Sequence, residues 1–202
     1  IYEDNLYYKN INLKCISSNK WKFEYKSYKP YEAFVFNDLK CINDKLYPSI
    51  GYFKDEYKYP CVLEKDREWM LITPNEIETM KKPVSEATGN VLTYGLGLGY
   101  YAYMVSMKDN VESVTIVEKD KEIIDLFNKY ILPQFKYKSK IKIINDDAFS
   151  YFKKDIYYDY VFVDIWHDPS DGIDLYLKFK SLEKENIKYS YWIEDTLKCY
   201  IE

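Results

Sequence analysis

Three glycines within five residues mark the stretch of this chain whose residue types most suggest chemistry. They are Gly95, Gly97 and Gly99, and they follow a short apolar run at 91–94. Glycine lets the backbone approach a ligand closely or take a positive φ, and three so close together are hard to explain by packing alone. The spacing therefore predicts a ligand held against bare backbone at this turn.

Acidic residues follow the next two apolar runs, in positions that suit a nucleoside. Glu118 comes 19 residues after Gly99, and its carboxylate can accept both hydroxyls of a ribose. Asp147 follows the run at 141–144, where it can accept from an adenine amino group, cap the next helix, or do both. A dinucleotide is disfavoured, because a Gly-x-Gly-x-x-Gly loop needs glycine at position 100, which is tyrosine here.

A third group, Asp164, His167 and Asp168, could carry catalysis. It follows the apolar run at 160–163, and His167 is the only histidine in the chain. A histidine beside carboxylates suits a general base near neutral pH. One alternative is that His167 only shapes the loop while Asp171 caps the next helix. Metal binding is a weaker alternative, because the ligand types are few and lack a fixed spacing, so no metal is expected.

The elements that would position these groups follow from residue 89 onward, where short β-rich runs alternate with helical patterns. Such alternation is typical of a parallel sheet with helices on both faces. We expect a doubly wound, Rossmann-like α/β sheet of about five strands in the order 3-2-1-4-5 over residues 89–202. The carboxyl ends of its strands would bring the three groups to one ligand site. Asp120 is expected to cap the second helix, and only a strand and a short helix fit after residue 187.

The segment ahead of this sheet has a different pattern. Short β-like runs separated by turn residues within 31–72 predict a small antiparallel unit. Pro74 begins a linking helix, which Pro83 should kink or split. The chain is thus expected to consist of a small N-terminal α+β unit, residues 1–73, and a ligand-binding domain, residues 74–202.

Composition argues against several classes of partner. With a formal charge of -4, the chain lacks the overall basic character that phosphate backbones require, so no nucleic acid is expected. No apolar run approaches the length of a membrane span and no signal peptide is visible, which favours a cytoplasmic protein without a membrane partner. Four widely spaced cysteines indicate reduced thiols rather than a disulfide framework or a zinc cluster. Whether the protein forms a homo-oligomer is left open by the sequence.

The order of these motifs resembles a known family. It looks like the class I S-adenosylmethionine-dependent methyltransferase fold. The features that carry the resemblance are an apolar run, the Gly-x-Gly-x-Gly turn, an acid after strand two, Asp-Ala after strand three and Asp after strand four. Within that fold, residues 111–133 and 141–149 are similar to the spermidine-synthase-like branch. Most class I members end in an antiparallel hairpin, which this chain is expected to lack. The resemblance implies S-adenosylmethionine as cofactor, bound by Tyr94, Gly95, Leu96, Gly97, Gly99, Glu118, Lys119, Asp147, Ala148 and Asp164.

Departures from that branch leave the reaction open. Aminopropyltransferases resemble one another in a Tyr-His-Glu stretch before strand one and in Asp-Ser-Ser-Asp-Pro after strand four. This chain lacks the first stretch and has Asp-Ile-Trp-His-Asp-Pro at 164–169 in place of the second. The expected function is methyl transfer to a small-molecule acceptor, with Asp164, His167 and Asp168 as catalytic residues. Aminopropyl transfer to a polyamine and non-catalytic nucleoside binding are the alternatives.

Overall fold

The computed structural model describes residues 2–13, 16–37, 41–43 and 45–201. In chain order, the N-terminal elements are α1 Leu6–Asn10, β1 Ile16–Ser17, β2 Trp21–Tyr28, β3 Phe34–Asn37, β4 Cys41–Ile42, β5 Lys45–Leu46, β6 Ser49–Gly51, β7 Tyr57–Glu64 and β8 Arg67–Leu71. The later elements are α2 Pro74–Glu86, β9 Gly89–Tyr94, α3 Tyr100–Ser106, β10 Val111–Glu118, α4 Lys121–Tyr130, β11 Ile141–Asn145, α5 Ala148–Phe152, β12 Tyr160–Val163, α6 Pro169–Ser181, β13 Lys188–Tyr191 and α7 Glu194–Lys198.

Five parallel strands form the larger sheet, in the order β11-β10-β9-β12-β13. Counted from β9, this is the order 3-2-1-4-5, so the predicted fold class and strand order are confirmed. All four residues of β12 are buried, as expected for a central strand covered by helices on both faces. In the described residues after β13 the only further element is α7, so no terminal hairpin is found there.

Antiparallel strands make up the N-terminal unit, as predicted. The main N-terminal sheet has four strands, in the order β1-β2-β7-β8. Two further strand pairs are small: β3 pairs with β6, and β4 pairs with β5. Trp21 and Phe23 of β2 belong to the same buried cluster as Val91 of β9 and Phe127 of α4. The N-terminal sheet and the larger sheet therefore share one hydrophobic core, while the proposed boundary between residues 73 and 74 stays a prediction.

Asp120 joins the two sheets through hydrogen bonds. As predicted, it caps α4, because its side chain accepts from the backbone N–H of Ile123. The same carboxylate also accepts from Lys20 Nζ at 2.6 Å and from Trp21 Nε1 at 3.1 Å. Burial raises the pKa of Asp120, but these hydrogen bonds outweigh it and hold the pKa below its usual range. The start of β2 is thereby anchored to the start of α4.

Two expectations about helices need correction. α2 begins at Pro74, with Thr73 as its cap, and continues through Pro83 to Glu86, so Pro83 does not split the helix and a kink stays a prediction. α6 begins at Pro169, because Asp168 takes the capping position for which the sequence suggested Asp171.

The cysteines depart in part from the expected reduced thiols. Cys61 is a buried free thiol, whereas Cys199 is disulfide-bonded, so the expectation is wrong at Cys199. Cys15 lies outside the described residues.

Across the described ranges, no helix has both the length and the apolar character needed to cross a membrane.

Candidate functional site

A cavity of about 460 Å³ opens at the carboxyl ends of β9, β10 and β12, a size within the range of small-molecule sites. The residues that follow these strands form one side of it, and residues of β8 and α2 form the other. Both sheets therefore contribute to its walls. Nine of the residues predicted from the sequence line it, namely Gly95, Leu96, Gly97, Glu118, Lys119, Asp147, Ala148, Asp164 and His167.

Three predicted residues, Tyr94, Gly99 and Asp168, are not among those that line the cavity. Successive side chains of a strand point to opposite faces, so Thr93 lines the cavity while Tyr94 is buried in the second core cluster. Gly99 occupies the capping position of α3 and packs against the ring of Phe127. Asp168 directs its carboxylate to the first turn of α6. Their predicted roles in binding or catalysis have no support from side-chain position.

The protein's own packing explains the glycine turn. Gly95 and Gly97 have φ values of 98° and 50°, in the left-handed region. A Cβ on Gly95 would lie 2.0 Å from the carbonyl oxygen of Asp164, and one on Gly97 would lie 2.1 Å from Sδ of Met70. Packing thus gives these two glycines a reason that needs no ligand, contrary to the sequence argument that packing alone explains them poorly. Both residues border the cavity, and their contact with a ligand stays a prediction.

Glu118 is held in place by the backbone around it. Its Oε2 accepts from the N–H of Leu96 at 3.2 Å, and its Oε1 accepts from the N–H of Asp120 at 2.9 Å. Burial raises its pKa, and these two hydrogen bonds only partly oppose that rise. A carboxylate oxygen can accept more than one hydrogen bond, so each oxygen keeps capacity for a hydroxyl donated from the cavity.

The acids after β11 have clear structural partners. Asp147 caps α5 by accepting from the backbone N–H of Ser150 at 2.9 Å. Asp146 pairs with Lys154 at 2.6 Å, which holds the pKa of Asp146 below its usual range. Both acids line the cavity, so the capping role of Asp147 does not remove it from the site. Contact with an adenine stays a prediction.

Two acids, Glu76 and Asp164, line the cavity and lie close enough for the charge of Asp164 to act on Glu76. Glu76 comes from the first turn of α2 and Asp164 directly follows β12. Burial raises the pKa of Asp164 to about 7. Burial, and then the charge of Asp164, raise the pKa of Glu76 well above its usual range. Within the described chain no hydrogen bond or basic group lowers the pKa of either acid, so both can accept hydrogen bonds or bind a positive charge from a ligand in the cavity.

His167 is paired with Asp171 and not with Asp164 or Asp168. Its Nδ1 lies 2.8 Å from Oδ2 of Asp171. Its Nε2 is buried and has no hydrogen-bond partner among the described residues. The ring of Trp69 packs edge-on against the imidazole, with ring centroids 4.3 Å apart. The sequence correctly placed the histidine among acids, but its side-chain partner is Asp171; the catalytic roles of Asp164 and Asp168 stay predictions.

Sequence reasoning missed Trp69, Met70 and Glu76, all of which line the cavity. Trp69 and Met70 belong to β8, and Met70 Sδ lies 3.3 Å from the backbone nitrogen of Leu98 in the glycine turn. Of these three, only Glu76 could have been proposed as a site residue from the sequence, because it is an acid in the first turn of the helix that was predicted to precede strand one. Among the residues that the structure describes, no group of three or more histidines, cysteines and acids could hold a metal ion.

Comparison with known proteins gives both a family and similar folds. The chain is similar to a solved spermidine synthase in complex with the transition state analogue AdoDATO, with 17% identity and a TM-score of 0.48, over 67% of this chain and 52% of that one. It is also similar to a dimethyladenosine transferase from Plasmodium falciparum, with 17% identity and a TM-score of 0.42, over 59% of this chain and 42% of that one. The chain thus spans about half the length of the solved spermidine synthase. No curated protein matched the sequence significantly.

The family model for the spermine/spermidine synthase domain matches residues 75–183, which is just over half of the 202 residues. This segment contains the glycine turn and all the strand-end acids described above. The chain belongs to the spermine/spermidine synthase domain family.

Proposed function

We propose that this protein transfers an aminopropyl group from decarboxylated S-adenosylmethionine to a small amine acceptor. The observation that carries the proposal is the Glu76–Asp164 pair, placed in one cavity with the strand-end acids Glu118 and Asp147. These strand-end acids suit the adenosyl part of the donor, and the carboxylate pair suits ammonium groups of the donor or acceptor.

The adenosyl part is proposed to lie across the ends of β9, β10 and β11. Glu118 has the remaining acceptor capacity to take both ribose hydroxyls, and Asp147-Ala148 borders the place proposed for the adenine. Gly95 would face the sulfonium arm, since it lies directly against the main chain of Asp164. The sulfonium supplies an electrophilic carbon and a neutral thioether leaving group.

The acid pair favours a donor without a carboxylate. At the arm end of the cavity, the carboxylate of S-adenosylmethionine would face Asp164 and Glu76. Burial already disfavours the charged form of both acids, so a further negative charge there would be unfavourable. The basic side chains in the described cavity wall are Lys119, adjacent to Glu118 at the proposed nucleoside end, and His167. An aminopropyl arm carries an ammonium group, which the pair attracts. Transfer then forms a C–N bond, breaks the C–S bond and releases one proton from the attacking nitrogen.

Methyl transfer from S-adenosylmethionine is the second candidate. It is favoured by the sequence departures: the missing Tyr-His-Glu stretch and the Asp-Ile-Trp-His-Asp-Pro at 164–169, with a histidine that faces the cavity. Both reactions use the same adenosyl site and differ in the arm of the donor.

The test is to supply each donor to the purified protein together with a panel of diamines, and to identify the nucleoside product by mass spectrometry. We expect methylthioadenosine and an aminopropylated amine. If S-adenosylhomocysteine forms instead, the methyl-transfer candidate replaces this proposal. If neither donor turns over nor raises the melting temperature, the donor site itself is rejected.

A matched pair of variants tests the role of the acid pair. Glu76→Gln should raise the KM for the amine or the donor, because it removes one of the two carboxyl groups that would ionise to bind an ammonium group. Glu78→Gln is the control, since Glu78 lies on the same helix but bonds with Tyr2 and Lys81 and does not line the cavity. Equal effects of the two variants would show that Glu76 has no specific role.

A further inference from the structure

The environment of His167 distinguishes its two ring nitrogens. Nδ1 lies 2.8 Å from Asp171 Oδ2, while Nε2 is buried without a partner in a residue that lines the cavity. A buried nitrogen without a partner carries a desolvation cost, and a bound ligand can relieve it. Asp171 comes three residues after Asp168 on α6 and was not among the predicted site residues.

The hydrogen bond to Asp171 determines which nitrogen carries the proton. An ionised carboxylate can only accept, so Nδ1 must donate to it, and in the neutral ring Nε2 then holds the free lone pair. Burial raises the pKa of Asp171, but the hydrogen bond from His167 and those from the backbone outweigh this and lower it, so the carboxylate is ionised at neutral pH.

We propose that Asp171 is a positioning residue that keeps the proton of His167 on Nδ1, so that Nε2 accepts the proton released by the attacking nitrogen of the acceptor. This inference rests on the proposed group transfer. The proton moves from the acceptor nitrogen to Nε2 as the C–N bond forms, and the resulting imidazolium is stabilised by the Asp171 carboxylate. Trp69, edge-on at 4.3 Å, restricts the ring to this orientation.

The carboxylate of Asp171 also has a structural role, which the experiment must separate. It accepts from the backbone N–H groups of His167 and Asp168, at 3.0 Å each, and so completes the capping box of α6. In Asp171→Asn the amide oxygen can still accept from the backbone, but the amide nitrogen would then face Nδ1. Nδ1 must become the acceptor, and the ring proton moves to Nε2. Asp168→Asn makes the same chemical change at the cap of the same helix, without a side-chain bond to the histidine.

The first measurement is the ¹⁵N spectrum of the imidazole, taken at a pH where the ring is neutral. Because His167 is the only histidine in the chain, its two ring nitrogens need no separation from others. We expect the proton on Nδ1 in the parent protein and in Asp168→Asn, and on Nε2 in Asp171→Asn. A proton on Nε2 in the parent overturns the proposal. This measurement needs no substrate. It therefore tests which nitrogen Asp171 keeps protonated even if the proposed function is wrong.

The second measurement is the rate of transfer with saturating donor. Asp171→Asn should lower kcat about 100-fold and leave the donor Kd unchanged, since a general base typically contributes about 10²- to 10⁴-fold. His167→Ala should have at least as large an effect. Asp174→Asn, at an exposed acid of the same helix that does not line the cavity, should stay within a few-fold of the parent. If Asp171→Asn moves the ring proton but leaves kcat unchanged, or if Asp174→Asn loses as much activity as Asp171→Asn, the proposal is wrong.

Discussion

The carboxylate of Asp164 should make the ligand-free protein less stable at neutral pH than at acidic pH. Burial raises its pKa from the ordinary value of 3.8 to about 7. The folded protein thus holds the neutral form more tightly than the unfolded chain does. The resulting stabilisation is fully present below pH 4 and is lost as the pH rises through 7, so Asp164→Asn, which cannot ionise, should be more stable than the parent at pH 8.

The size of this gain follows from the shift. A rise of about 3 pKa units, at about 1.36 kcal/mol per unit, sets a ceiling of about 4 kcal/mol. Asp164 keeps part of its surface open to the cavity, and water there screens its charge, so we expect roughly half of the ceiling, ~2 kcal/mol, at pH 8. At pH 5 the gain should fall below ~1 kcal/mol. Glu76, whose pKa is raised by burial and by the charge of Asp164, should behave in the same direction when changed to glutamine.

The assay is urea unfolding followed by far-UV circular dichroism at pH 5 and pH 8, with the slope m compared between variants. Asp146→Asn is the control with the opposite sign, because its pair with Lys154 lowers its pKa, and losing that pair should not stabilise the protein. The reasoning is refuted if Asp164→Asn is no more stable than the parent at pH 8, or if its gain is the same at both pH values. A gain with lost transfer activity would show that the acid is kept for function.

Three further variants test the donor site and the fold. Glu118→Ala should weaken donor binding by about 1.5 to 3 kcal/mol in calorimetry, the range for hydrogen bonds to a charged group. Gly95→Ala should lower the free energy of unfolding by more than ~2 kcal/mol, since φ is 98° and the new Cβ would lie 2.0 Å from the Asp164 carbonyl oxygen. Asp120→Ala should cost about 2 to 4 kcal/mol, because a helix cap is worth about 1 kcal/mol and the buried Trp21 N–H loses its acceptor.

Each of these variants has a control elsewhere in the chain. Glu112→Ala removes an exposed acid from the start of β10 and should leave donor affinity unchanged. Gly51→Ala should cost much less than Gly95→Ala, because φ of Gly51 is not positive and an added Cβ would lie 3.2 Å from Cδ1 of Phe36 and not against backbone. Asp125→Ala removes an exposed acid of α4 and should cost little. If a control matches its test variant, the specific contact is not the cause of the effect.

The fold was predictable because its signals are local. The runs that became β9, β10, β11 and β12 are apolar and separated by helical patterns, and alternation of that kind admits few topologies. Asp120 was identified as a cap from residue type alone. These features depend on neighbours within a few positions, which a sequence displays directly.

The cavity was predictable only on one side. Strand ends converge by the topology of the sheet, so Glu118, Asp147 and Asp164 could be placed together. Trp69 lies on a different sheet, and its position beside His167 depends on how β8 packs against the glycine turn. No periodicity encodes that contact. Asp171 was recognised as a possible cap, but its bond to the histidine requires the actual course of the loop at 164–169.

Part of the cavity wall, including Trp69 and Met70, lies outside the segment that the family model matches. The family match begins at residue 75, so it contains the glycine turn and the strand-end acids but not β8. The match therefore carries information about the strand-end side of the cavity and none about β8. If the proposed function holds, exchanging residues 67–71 between relatives should alter the wall of the cavity outside the matched segment and leave the proposed nucleoside contacts in place.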